Sequence, residues 1–198
     1  MSAERARLFV ALELPAEVRD ALRAWQETTV SRPDAWRPLG SESLHVTLCF
    51  LGDQAVTEVH AIARTCANAV DALSEGVTLR LASPLTLSPR RPRVLAVGVE
   101  DPSGALTRLQ ARVAGALASA GWYQAEHRRF LAHITVARAR ARRGTRIVTA
   151  AGAIDPPAPL VFSAEAVALV RSHLSSEGSR YERLAGFPLS GTGEAHGP

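Results

Sequence analysis

SLHVTLCFLGD at residues 43–53 and RFLAHITVAR at residues 129–138 carry the same core, a histidine, a β-branched residue, a threonine and an aliphatic residue. Both stretches are rich in apolar and β-branched residues and read as strands. Side chains alternate faces along a strand, so His45 and Thr47 point one way while Val46 and Leu48 point the other. The second copy repeats this with His133 and Thr135 against Ile134 and Val136. Each stretch therefore sets one imidazole beside one hydroxyl, with an apolar face behind them.

The similarity extends outward from the motifs. RLFVALELP at 7–15 reads as a strand closed by Pro15, and PRVLAVGVEDP at 92–102 repeats it. Each is followed by a segment of helical spacing. In the first, Val18, Ala21, Leu22 and Trp25 share a face; in the second, Leu106, Leu109, Val113 and Leu117 do, with Gly121 as the stop. Each helix leads through a loop to a motif strand. Arg7 precedes His45 by 38 residues, Arg93 precedes His133 by 40, and the two histidines stand 88 apart. The order strand, proline, helix, loop, strand thus occurs twice, with repeats near 7–53 and 93–138, and we read it as an internal duplication. The duplication predicts two similar lobes. One domain spans 1–189, and the glycine-rich residues 190–198 form a flexible tail.

Other segments fill in the frame. Val56, Val59, Ile62, Cys66, Ala69 and Leu73 make a helical stripe, which places Cys66 in the core. VTLRLASP and LTLS read as strands, as do parts of LVFSAEAVALVRSHL and YERLAGFPL. The loop between the first helix and the first motif contains Pro33 and Pro38. Residues 138–153, rich in arginine and alanine, read as helical.

Composition narrows the classes. In 198 residues there are 23 basic side chains, every one arginine, and the net charge is +4. Arginine offers two parallel donors to a phosphate, and a modest positive excess suits a phosphate-bearing partner. Cys49 and Cys66 form no CxxC and no disulfide framework. No HExxH or comparable spacing appears, so no metal and no cofactor is expected. No apolar run approaches the roughly 20 residues of a membrane span, and the N-terminus lacks a signal peptide. These features predict a cytoplasmic protein with no membrane association and no obligate protein partner, acting as a monomer.

Two histidine–threonine pairs facing each other across a cleft suit phosphodiester chemistry. Histidine titrates near neutrality, so one ring can accept a proton from water while the other donates to a leaving oxygen. The threonine hydroxyls can hold non-bridging oxygens. Candidate catalytic residues are accordingly His45, His133, Thr47 and Thr135. Arg138 and Arg129 are candidate phosphate ligands, although strict alternation turns Arg138 away from His133 unless the strand bends at its end. Phe9, Trp36, Phe50 and Phe130 are candidates to stack a base, Trp36 being the most loop-like, with core packing as the alternative for each. His60, His127, His173 and His196 read as solvated or peripheral.

HVTL at 45–48 and HITV at 133–136 resemble the two HxTx motifs of the 2H phosphoesterase superfamily, and in particular its bacterial and archaeal RNA 2′,3′-cyclic phosphodiesterase (2′-5′ RNA ligase) branch. RLFVALELP, SLHVTLCFLGD, FLAHITVAR and LVRSHLSSEGSRYERL support this over residues 5–189. The resemblance implies an α+β, bilobal, pseudo-two-fold fold with antiparallel sheets lining a central cleft and helices outside, and metal-independent opening of RNA 2′,3′-cyclic phosphate ends to 2′-phosphates, with 2′-5′ ligation as the reverse reaction. It gives His45 the proton for O3′, His133 the water, and Thr47 and Thr135 the phosphate. The same chemistry on small cyclic nucleotides, an ADP-ribose cyclic phosphate or 2′,5′-oligonucleotides is the alternative. Ala132 departs from the proline that often precedes the second histidine in that family.

Overall fold

In the computed structural model, the structure describes residues 4–30, 36–73, 75–87, 93–125, 128–140, 154–175 and 178–189. The expected strands form where apolar residues alternate or run together: β1 (Arg5–Glu13), β3 (His45–Ala55), β5 (Val94–Glu100) and β6 (His133–Ala139). β4 (Thr78–Leu87), β7 (Val161–Ser163), β8 (Ala166–Ser175) and β9 (Gly178–Pro188) complete the main sheet, and a short β2 (Trp36–Pro38) pairs with β6. VTLRLASP and LTLS belong to one strand rather than two. The register slips between Leu81 and Pro84, where a proline with no N–H to give is tolerated.

The order across the sheet is β7-β4-β5-β6-β3-β1-β8-β9, with antiparallel neighbours throughout. The duplication shows in its middle. β5 runs beside β6 as β1 runs beside β3, and the two motif strands meet at a single register pair, Val46 with Ile134. That narrow seam joins the two half-sheets.

Helices α1 (Ala16–Trp25), α2 (Val59–Asp71) and α3 (Ala105–Ser119) cover the other face. Val18, Leu22 and Trp25 are buried on α1, Ile62, Cys66, Ala69 and Val70 on α2, and Leu106, Leu109, Val113 and Leu117 on α3. They meet Leu8, Val10, Leu12, Val46, Leu95, Val97 and Ile134 from the sheet in one continuous core. Burying such a side chain contributes about 1.5–3 kcal/mol. α3 stops at Gly121, whose φ of 82° lets Trp122 N–H reach Leu117 O and Gly121 N–H reach Ala118 O. Cys66 is a free core thiol, and burial pushes it up to about 12. No described helix is long and apolar enough to cross a membrane.

The helix expected over 138–153 needs correction at its start. Arg138 and Ala139 belong to β6, where hydrogen bonding to β5 and β2 outweighs the helical preference of an arginine–alanine run. Arg142, Arg143, Arg146, His127 and the tail at 190–198 lie outside the described residues.

Candidate active site

β3 and β6 carry the motif histidines at their first residues, so both rings stand where the half-sheets begin to part. His133 Nδ1 lies 2.7 Å from Leu131 O, two residues upstream. A carbonyl only accepts, so Nδ1 carries the hydrogen and Nε2 is left for chemistry. His45 has the matching main-chain bond, to Ser43. The two motifs thus orient their imidazoles by the same device.

Their surroundings differ. His45 stacks on Phe9, with centroids 4.9 Å apart at 27°, and meets the edge of Tyr181 at 5.3 Å and 81°. This burial brings its pKa down to about 4; the Ser43 hydrogen bond opposes the shift, and the charges of His133 and Arg138 add to it. His45 is therefore neutral at physiological pH. Its electrostatic coupling to His133 and Arg138 also shows that these groups approach it from the other half-sheet.

The register explains how Arg138 gets there. Thr135 pairs with Ala96 and Ala137 with Leu95, so Val136 is an extra residue, a β-bulge. Val136 and Ala137 both turn into the core, and Arg138 returns to the face of His133 and Thr135. β3 does the same. Thr47 pairs with Ala11 and Cys49 with Val10, leaving Leu48 as the extra residue; Leu48 and Cys49 are both buried, and Phe50 joins the face of His45 and Thr47. The duplicated strand thus places a third group on the cleft five residues after each histidine: Phe50 in one copy, Arg138 in the other.

The antiparallel seam sorts these groups to opposite ends. Phe50, 61% exposed, and Leu131, 55% exposed, lie toward one end. Arg138 lies toward the other, where its partner in β2, the exposed Arg37, shares its face. There a cavity of about 370 Å³ opens beside His45, with Glu13, Ser41, Glu42, Tyr181 and Arg183 among its walls. Glu13 and Arg183 are paired at 3.0 Å.

Two expectations are overturned. Trp36 is fully buried, because β2 turns its ring into the core behind β6, and it cannot stack a base. Phe9 is 3% exposed and sits beneath the His45 ring, so it supports the imidazole instead of receiving a base. Arg129 lies exposed before β6, outside the motif strands. His60 is exposed on α2, and His173 bonds to Glu182 at 2.7 Å on the β8–β9 hairpin. Of the four aromatic candidates only Phe50 stands exposed on the cleft face, and the repeat sets it against Arg138. Arg37 and Tyr181 were missed by the sequence reading, and nothing in the sequence signals them. Among the described residues, no three His, Cys, Asp or Glu side chains gather as a metal site.

Comparison with known proteins gives a consistent result. Residues 11–175 match the model of the 2′-5′ RNA ligase superfamily. An RNA 2′,3′-cyclic phosphodiesterase of Escherichia coli (strain K12) is 32% identical over 139 residues, covering 68% of this chain and 73% of that protein. One of Geobacillus stearothermophilus is 31% identical, covering 98% of this chain, which spans only 62% of its relative's length. One of Thermus thermophilus is 32% identical, covering 93% and 91%. Among solved structures, Escherichia coli LigT complexed with 3′-AMP superposes with a TM-score of 0.76 at 29% identity, covering 94% of this chain and 99% of that one.

Proposed function

Because the chain belongs to the 2′-5′ RNA ligase superfamily, we propose that it is an RNA 2′,3′-cyclic phosphodiesterase, opening the cyclic phosphate to a 2′-phosphate with His45 and His133 as its acid–base pair. The observation that carries this is the matched geometry of the two motif strands. Each presents an imidazole hydrogen-bonded to the main chain two residues upstream, through Nδ1 in His133, and a threonine on the same face.

A phosphate between the rings meets Thr47 and Thr135 as hydroxyl donors and Arg138 as a cation, which together stabilise charge on its non-bridging oxygens. His133 takes a proton from water, and the hydroxide oxygen bonds to phosphorus. The P–O3′ bond breaks as His45 delivers a proton to O3′. These are the roles that the family resemblance implies. The protein begins with His45 neutral, so the anionic phosphate has to lift its proton affinity on binding. Ligation is the same displacement in the same direction with a 5′-hydroxyl in place of water: O5′ bonds to phosphorus as P–O3′ breaks, which leaves a 2′-5′ linkage and a free 3′-hydroxyl. Phe50 and Leu131 offer an apolar shelf for a base, while exposed Arg128 and Arg129 add to the field that draws RNA in. We assign it to the cytoplasm, as a monomer that needs no metal, cofactor or protein partner.

The test is to incubate the purified protein in EDTA with 2′,3′-cyclic AMP and with a cyclic-ended RNA, and to identify the product. The 2′-phosphate is expected from both. A strict requirement for a divalent ion, or a 3′-phosphate product, would refute the mechanism. Turnover of the mononucleotide without the RNA would favour the small-nucleotide alternative.

A further inference from the structure

The two bulges that bring Arg138 and Phe50 onto the cleft are each held from behind by a glutamine of the opposite repeat. Gln26, in the wide π-type turn that continues α1, is almost completely buried. Its Nε2 donates to the carbonyl of Val136, the extra residue of β6, at 2.6 Å, and lies 3.2 Å from Leu39 O. Leu39 N–H donates to the same Val136 oxygen at 2.9 Å. Gln110, on α3, donates from Nε2 to the carbonyl of Leu48, the extra residue of β3, at 3.3 Å. α1 follows β1 but braces β6; α3 follows β5 but braces β3. The two long-range bonds are thus made crosswise.

A bulge leaves main-chain groups outside the regular ladder, and each buried bond lost there is costly; without Gln26 the Val136 carbonyl keeps Leu39 N–H but loses the shorter of its two bonds. With that side-chain bond gone, less holds the extra residue in place against a slip back into regular register. Such a slip of one residue turns every later side chain to the opposite face. In β6 that would return Arg138 to the side that strict alternation gives it, away from His133.

We propose that Gln26 and Gln110 are positioning residues, Gln26 for phosphate binding through Arg138 and Gln110 for the nucleoside contact through Phe50. Neither touches the substrate. The inference rests on the reading that the cleft binds phosphate and that Arg138 meets it.

The experiment measures the affinity of the full chain for inorganic phosphate by NMR titration. The proteins compared are wild type, Arg138→Ala, Gln26→Met, the double variant, and the conservative core variant Ile62→Val as a control for lost stability. Methionine keeps the length of glutamine without its donor. Arg138→Ala is expected to weaken phosphate binding about tenfold or more. Gln26→Met should weaken it comparably, and the double variant should match Arg138→Ala within about twofold, because both act through one group. Ile62→Val should bind as wild type does.

Wild-type affinity in Gln26→Met beside a weakened Arg138→Ala would overturn the inference alone. So would losses that multiply in the double variant. Wild-type affinity in Arg138→Ala would remove Arg138 from the site and the role of Gln26 with it. Should Gln26→Met fail to fold, Gln110→Met carries the test: its KM for 2′,3′-cyclic AMP should rise as that of Phe50→Ala does, without further rise when the two are combined. An unchanged KM in Gln110→Met, or multiplied effects, would refute the positioning role.

Discussion

His133→Ala is expected to lower kcat for 2′,3′-cyclic AMP in EDTA by about 100- to 10,000-fold, and His45→Ala by a similar factor, with circular dichroism and cooperative melting retained in both. Each ring stands at the start of its strand and is tied to the main chain two residues upstream, His133 through Nδ1 to Leu131 O and His45 to Ser43. Nothing else described beside the seam can both take and give a proton near neutral pH. The two losses should not multiply, because an acid and a base acting in one displacement work as a unit. His45→Ala should also cost some stability, since its ring fills space between Phe9 and Tyr181; melting curves separate that loss from the kinetic one. Near-wild-type turnover in either variant would remove that residue from the pair.

The repeat was legible because it is written in residue types. His45 with Thr47 and His133 with Thr135 recur in matching strand–helix–strand frames, and the pleat alone puts each pair on one face. The framework elements were legible for the same reason: the apolar spacing of α1, α2 and α3 predicts the faces they bury. What escaped was decided by contacts distant in sequence. Trp36 lies in a proline-containing linker and reads as loop, yet Pro38 and Arg37 pair with Ala137 and Arg138, and the resulting strand buries the tryptophan. Phe9 reads as either core or platform; only the stack on His45 shows that it serves the imidazole from below. Arg138 fell on the wrong face because alternation assumes an unbroken register, and a bulge at Val136 cannot be seen without its partner strand. Tyr181 belongs to a hairpin beyond the stretch that matches the family model, so neither motif points to it.

Acid should destabilise this protein through His45 in particular. Its pKa is about 4 in the folded chain, against an ordinary value of 6.5 in the unfolded one. Between these values the unfolded chain holds the extra proton, so stability falls as pH falls. The contribution is complete above about 6.5, drains away down to about 4 and is flat below. A difference of this size corresponds to roughly 3 kcal/mol. His45→Gln, which does not titrate and keeps a donor for Ser43 O, is expected to flatten that part of the curve of melting temperature against pH. The comparison between the two proteins cancels the contributions of every other group, which both share. Inorganic phosphate should act in the opposite direction. An anion between the rings offsets the positive charges of His133 and Arg138 and favours protonated His45, so the midpoint of its imidazole NMR titration should move from about 4 toward neutrality. Identical pH dependence in wild type and His45→Gln would show that the ring is not held neutral. A midpoint that stays near 4 with phosphate bound would exchange the two roles, making His45 the base and His133 the acid.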